Sequence, residues 1–329
     1  MSAPLVLDAA AVAAACSPAD AVAAIRTALT RGLDPATDLP RHGVPVRAGE
    51  LLLMPSDGGG DRPHVGIKVA TVAPANAALG IPRVQGSYLL LDAATLGVVA
   101  VLDGIALTTL RTPAVSVAAV LDRLFDGVDP LRVTVIGAGP QAHGHVATLA
   151  DALGGRRALG EVTQLVRDPG RSSPIGGAQR VRDPGRSTPA GGATVVRLGS
   201  PESDDALRAA DVVVCATSAR APLFDAALIA DTAVVIAVGS HEPDARELPS
   251  GLLARGTVVV EDPGAALREA GDVVLAIADG ALAAEDLVPV RDVVTGAVRP
   301  DPTQPLVFKS VGMSWEDLVV AEAVLAGGR

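Results

Sequence analysis

The stretch Val133–Leu153, VTVIGAGPQAHGHVATLADAL, decides how the chain is read: a strand, a G-x-G-x-x-A turn and a helix succeed one another without interruption. Gly137 permits the tight turn, Gly139 lets a pyrophosphate approach the backbone, and Ala142 allows the helix to pack closely on the strand, with Gln141 beside it at the helix start. Alone, such a fingerprint is weak. It gains weight from its downstream neighbours, because VTQLV, DVVVCAT, AVVIAVG and TVVVED are continuous apolar strands alternating with helical or loop segments, the mark of a parallel sheet covered on both faces. A doubly wound Rossmann domain that binds a dinucleotide is therefore expected over residues 114–304.

The second strand, VTQLV, ends at Val166, where an NAD enzyme would place a carboxylate on the adenosine ribose. Arg167 stands there and suits the extra 2′-phosphate of NADP, while Asp168 comes directly after it. NADP is the preferred cofactor and NAD stays open. Immediately beyond, VRDPGRSSPIGGA and VRDPGRSTPAGGA, starting at Val166 and Val181, agree at eleven of thirteen positions, a tandem duplication. Its Pro, Gly, Ser and Arg content marks a surface loop over residues 166–195, where added length costs little closure entropy. Only one copy can continue the strand, and the first is expected to do so. Residues 181–195 should then be dispensable. His143 and His145 are read as surface or packing residues.

At 329 residues the chain should hold two domains, with a core of Val, Leu, Ile and Ala, since 49% is apolar but only 2% aromatic. A net charge of -10 and the lack of stacking rings argue against nucleic acid. No apolar run is read as approaching the roughly 20 residues of a membrane helix, so a cytosolic protein away from membranes is expected. Cys16 and Cys215 fit reduced, buried thiols, and no metal site is expected.

The N-terminal half differs in character. A strand at Leu5–Leu7 precedes an Ala-rich helix after Asp8, and Ser17, Pro18 and Asp20 start another that Gly32 ends. ELLLM, VGIKVATV, GSYLLLD and GVVAVLD then read as sequential, antiparallel strands. From Ile105 to Phe125 a helical period returns, and Pro113 must either kink that helix or open a new one capped by Thr112. In the tail, Ser314 and Asp317 read as a capping box, Met313 and Leu318 as a staple, and Gly327 as the stop. Residues 1–113 with 305–329 should thus form an α+β substrate-binding and dimerisation domain. Among 27 basic residues only Lys68 and Lys309 are lysine. A lysine kept under such a bias is a candidate for a site that needs a compact ammonium with a movable pKa.

With these residues in view, the chain resembles the ornithine cyclodeaminase/mu-crystallin family over nearly its whole length, in GELLLMP, GIKVATVAPANAALGIPRVQG, LLLDAATLGVVAVLDGIALTTLRT, VIGAGPQA, AVGSHEPDAREL and VFKSVGMSWEDL. The resemblance implies a homodimer whose N-terminal domain binds substrate, plus a Rossmann domain for NAD(P). By similarity, Arg41, Lys68 and Arg111 would surround the carboxylate of a small amino, imino or 2-oxo acid. Thr217, Val238, Gly239, Ser240, His241, Ser310 and Val311 would line the nicotinamide and its ribose. Lys309 is open between cofactor contact and ion pair. In ornithine cyclodeaminases the position of His241 is typically an aspartate, which speaks against the lyase reaction. The expected activity is NAD(P)H-dependent reduction of a cyclic or open ketimine or a 2-oxo acid, with Lys68 or His241 giving the proton. The alternatives are an ornithine or lysine cyclodeaminase and an NADPH-dependent binding protein without turnover.

Overall fold

The computed structural model describes residues 3–60, 62–176 and 192–328, and its contacts divide the chain into Met1–Val115 with Gly312–Arg329 and Ser116–Val311. The first unit opens with β1 (Leu5–Leu7), α1 (Ala9–Ala15) and α2 (Pro18–Thr30). Asp8 caps α1 by accepting the Ala11 N–H at 2.8 Å, and Ser17 and Asp20 close the capping box of α2. Next come β2 (His42–Val46), β3 (Gly49–Ser56), β4 (His64–Val72), β5 (Val84–Asp92) and β6 (Val98–Asp103). Among the described residues they form a six-stranded sheet in the order β1-β6-β5-β4-β3-β2, antiparallel except that β1 runs parallel to β6.

Register places Met54, Lys68, Tyr88 and Leu102 in one row across four strands, all buried. Side chains alternate across a sheet, so the opposite face carries Leu51, Leu53, Ile67, Val69, Leu89 and Val101, each apolar and only half-buried. Gly66 is fixed by this packing: a Cβ there would lie 2.0 Å from the Tyr88 hydroxyl.

α3 (Gly104–Leu124) continues through Pro113, so the reading of a new helix capped by Thr112 does not apply. Every residue from Arg111 to Val120 is buried, and packing on all sides outweighs the backbone hydrogen bond that proline removes. Contrary to the sequence expectation, α3 is long and apolar enough to cross a membrane, but 67% of its apolar window is buried inside the protein.

The second unit continues with β7 (Leu131–Ile136), α4 (Pro140–Ala152), β8 (Leu159–Val166), β9 (Thr194–Arg197), α5 (Pro201–Ala209), β10 (Val212–Cys215) and β11 (Val234–Ala237). α6 (Ser250–Leu253), β12 (Thr257–Val260), α7 (Pro263–Glu269), α8 (Gly271–Ala278), β13 (Val288–Pro289), α9 (Val290–Val294) and β14 (Leu306–Lys309) complete it. The eight described strands are all parallel, in the order β13-β12-β14-β11-β10-β7-β8-β9. The chain steps outward from β7 to β9 and then returns to β10 on the other side of β7. That reversal is the switch point where doubly wound sheets bind ligands.

β14 pairs with both β11 and β12, so residues 305–311 belong to this sheet and not, as expected, with the tail. Only α10 (Ser314–Gly327) returns to the first unit, against α2 and β4. Its cap also differs from expectation. Met313 is the N-cap residue and donates its N–H to the Glu316 carboxylate at 3.0 Å, and Asp317 turns elsewhere.

The first repeat copy continues β8 and is tied down by Gln164, whose amide donates to the Gly137 and Ser173 carbonyls and accepts the Ile175 N–H. Most of the second copy, residues 181–191, lies outside the described residues. Thr194 and Val195 already belong to β9, so the expected deletion of 181–195 would cut a strand. Deleting 178–192 regenerates Gly-Gly-Ala before Thr194 and spares β9. Because halving a loop changes closure entropy by only about 0.6 kcal/mol, this variant should express as folded protein with a thermal midpoint close to the parent's, read by circular dichroism.

Candidate active site

The second unit supplies the features of a dinucleotide cradle. Gly137 has φ +132°, and a Cβ there would meet the Ala216 carbonyl oxygen at 2.5 Å, so no side chain fits between the ends of β7 and β10. A Cβ on Gly139 would meet nothing within 4 Å, and no side chain caps α4. The start of α4 thus has no side-chain cap, and the space beside Gly139 is open, as the approach of a pyrophosphate requires. Ala142 is fully buried against the turn. His145 is structural: its Nδ1–H donates to the Gln141 carbonyl at 2.7 Å and its Nε2 accepts from Ser116 at 3.0 Å. Burial lowers its pKa to about 4, which leaves it neutral. Arg167 is exposed directly after β8, while Asp168 bends back to accept the Gly170 N–H at 3.1 Å.

At the carboxyl ends of the central strands three buried acids hold the predicted nicotinamide-lining residues. Glu247 accepts the Thr217 N–H (2.8 Å) and hydroxyl (2.6 Å) on one oxygen and the Gly239 N–H (2.8 Å) on the other. Burial, more than any charge, raises its pKa. Asp272 accepts the N–H groups of Glu247 and Leu248 at 2.7 Å each and pairs with Lys309 at 3.0 Å. Lys309 also donates to the Ser240 carbonyl at 2.6 Å and is wholly buried, so it is an ion-pair residue. Glu261 accepts the Ser310 hydroxyl (2.6 Å) and the Val311 N–H (3.0 Å). Val238 continues β11 by donating to the Cys215 carbonyl, and His241 is exposed beyond it.

The first unit gathers the three predicted cations around residues 312–317. Arg41 donates to the Gly312 carbonyl at 2.9 Å. Arg111, from α3, pairs with Glu316 and lies with Nε 3.3 Å from Asp317. Lys68, from β4, donates to Asp317 at 2.7 Å and to Thr108 at 3.4 Å. Lys68 and Arg111 are 4% and 5% exposed, and both carboxylates are fully buried. Burial, and then Arg111, lower the Lys68 pKa to about 8, against the opposing pull of Asp317 and Glu316. Asp38 fixes the start of α10 by accepting the Trp315 N–H at 2.9 Å and the Ser56 hydroxyl at 2.7 Å, and burial pushes its own pKa to about 6.

The family model of the ornithine cyclodeaminase/mu-crystallin family matches residues 3–326. The chain belongs to this family. Among its relatives, the Δ1-pyrroline-2-carboxylate/Δ1-piperideine-2-carboxylate reductase of Azospirillum brasilense is 31% identical over 276 residues, 84% of this chain and 80% of that protein. The ketimine reductase mu-crystallin of Mus musculus is 31% identical over 257 residues, 78% of this chain and 74% of that protein. The fold is shared with Thermococcus litoralis Δ1-pyrroline-2-carboxylate reductase, solved with NADH and L-proline: TM-score 0.80, 23% identity, 98% and 97% of the two chains covered.

Sequence reasoning missed Glu247, Glu261, Asp272, Glu316 and Asp317. The available signal was the burial expected of the two rare lysines, since a buried ammonium must find a carboxylate. Lys309→Met would strand Asp272 in the interior of this family member, and breaking such a pair costs about 3–5 kcal/mol. Urea unfolding should show a loss of that size.

Proposed function

We propose that this protein is an NAD(P)H-dependent reductase of a small imino acid, a cyclic or open ketimine carboxylate, or of a 2-oxo acid. The observation that carries the reading is the gathering of Arg41, Lys68 and Arg111 at residues 312–317, in a family whose relatives are named as imino-acid reductases. Arg41 and Arg111 would hold the substrate carboxylate in a fixed orientation. When bound, the coenzyme supplies the hydride taken up by the α carbon. Lys68, with a pKa of about 8, is mainly ammonium at neutral pH yet yields its proton more readily than a surface lysine, which fits it to protonate the substrate nitrogen. His241, exposed after β11, is the alternative donor. The C=N bond thereby gains a hydride at carbon and a proton at nitrogen.

Gly137, Gly139, Gln141 and Ala142 would receive the pyrophosphate. Thr217, Val238, Gly239, Ser240, Ser310 and Val311 would line the nicotinamide end. NADP is favoured by the exposed Arg167 beside an Asp168 already engaged with its own turn. A homodimer is favoured by the apolar, half-buried outer face of the six-stranded sheet, where Val6 is 77% exposed. Cys16 and Cys215, buried free thiols, suit a reducing, cytosolic setting.

The purified protein should oxidise NADPH, and NADH less well, with cyclic ketimine carboxylates or with pyruvate plus ammonia. Ammonia released from ornithine without net change in nicotinamide absorbance would identify a cyclodeaminase instead. Lys68→Met should lower kcat by at least about 10²-fold and leave coenzyme affinity, read by fluorescence titration, unchanged. Arg167→Ala should raise KM for NADPH roughly tenfold, the loss of one charge-assisted hydrogen bond, with KM for NADH unaffected.

A further inference from the structure

We propose that Asp317 is a positioning residue: an internal counter-ion, carried on the first turn of α10, that holds Lys68 as an oriented ammonium before any substrate arrives. The inference rests on the reading of Lys68 as the proton donor and names the residue that readies it. Asp317 is fully buried and spans both cations, with Oδ2 2.7 Å from Lys68 Nζ and Oδ1 3.3 Å from Arg111 Nε. Its neighbour Glu316 takes the other side of Arg111 and also accepts the Met313 N–H, so the two carboxylates divide the work. Asp38 anchors the Trp315 N–H and so fixes the turn that presents them.

The surroundings of Lys68 leave it little else. The flanking strands contribute Met54 from β3 and Tyr88 from β5. Burial keeps Tyr88 a neutral phenol, its pKa pushed well above the usual value first by desolvation and then by Asp317, Glu322 and Asp38. α3 contributes Arg111, which repels an ammonium, and Thr108 at 3.4 Å. α10 contributes Glu316 and Asp317, the groups that oppose deprotonation. Of these, Asp317 alone is in hydrogen-bond contact with the ammonium as a carboxylate. Substrate acid would arrive as a second anion beside a lysine already charged. Removing the Asp317 charge therefore lowers the pKa of Lys68, thins the ammonium population at neutral pH, and moves the alkaline limb of the reductive pH profile downward.

The lysine count makes this directly measurable. With only Lys68 and Lys309 in the chain, protein labelled with [ε-13C]lysine gives two signals, assigned by Lys68→Met. In Asp317→Asn the Lys68 signal should titrate at least about 1 pH unit lower than in the parent, and Asp317→Glu should return most of the shift. The falling limb of kcat/KM with a ketimine carboxylate should move with the signal, and KM should change less than kcat. An unchanged titration in Asp317→Asn, or no recovery in Asp317→Glu, overturns the proposal. If Asp317→Asn does not fold, Lys68→Met/Asp317→Leu decides: recovery of folding supports a charge pair, and continued failure to fold overturns it. The titration needs no substrate. A shifted signal in a protein that reduces no imino acid would thus sink the functional reading alone, and an unshifted signal in an active reductase would sink this inference alone.

Discussion

An ammonium group taken out of water needs a carboxylate beside it, and much of this structure is arranged around meeting that need twice. Both lysines of the chain are buried, one in each unit, and each is paired with an aspartate: Lys68 with Asp317 and Lys309 with Asp272. Both aspartates sit in the first turn of a helix, α10 and α8 respectively, where the N-terminal dipole favours negative charge. Desolvation costs several kcal/mol per ion, so neither pair is chiefly a source of stability. What each provides is fixed geometry. Asp272 also binds two backbone N–H groups next to Glu247, and Glu247 in turn holds the loops after β10 and β11.

The glycine turn depends on a similar over-determination. Gly137 is forced by the nearby Ala216 carbonyl, and its own carbonyl is held by the buried amide of Gln164. The next helix, α4, leaves its first turn without a side-chain cap. A backbone so held can present its N–H groups to an anion without first paying to order them.

Local patterns made the architecture legible. The β-branched strands, the fingerprint, the Ser17 capping box and the alternation in β3 to β6 each carry their own periodicity, so fold and strand direction could be read from short windows of sequence. Lys68 stood out by the scarcity of lysine, Arg41 and Arg111 were legible only through family resemblance, and the identity of the acids that partner them was not legible from short windows. Asp317 sits three residues after a serine and reads as a cap, but whether a carboxylate turns to its own backbone or to Lys68, 249 positions away, depends on tertiary packing. Thr112 misled as the cap of a new helix at Pro113 for the same reason. A stretch buried on every side, as Arg111 to Val120 are, tolerates a proline that a half-exposed one would not. Residues 305–311 were assigned to the tail because β14 lies so close in sequence to α10, yet strand pairing outranks chain proximity.

The near-absence of lysine also shapes how the molecule meets other chemistry. Its exposed basic side chains are guanidiniums, and the only two ε-amines lie inside, at 4% and 0% exposure. Aldehyde fixatives, succinimidyl esters and the enzymes that acetylate or tag lysine side chains find no ε-amine to attack on the folded protein, so modification at Lys68 or Lys309 would report unfolding.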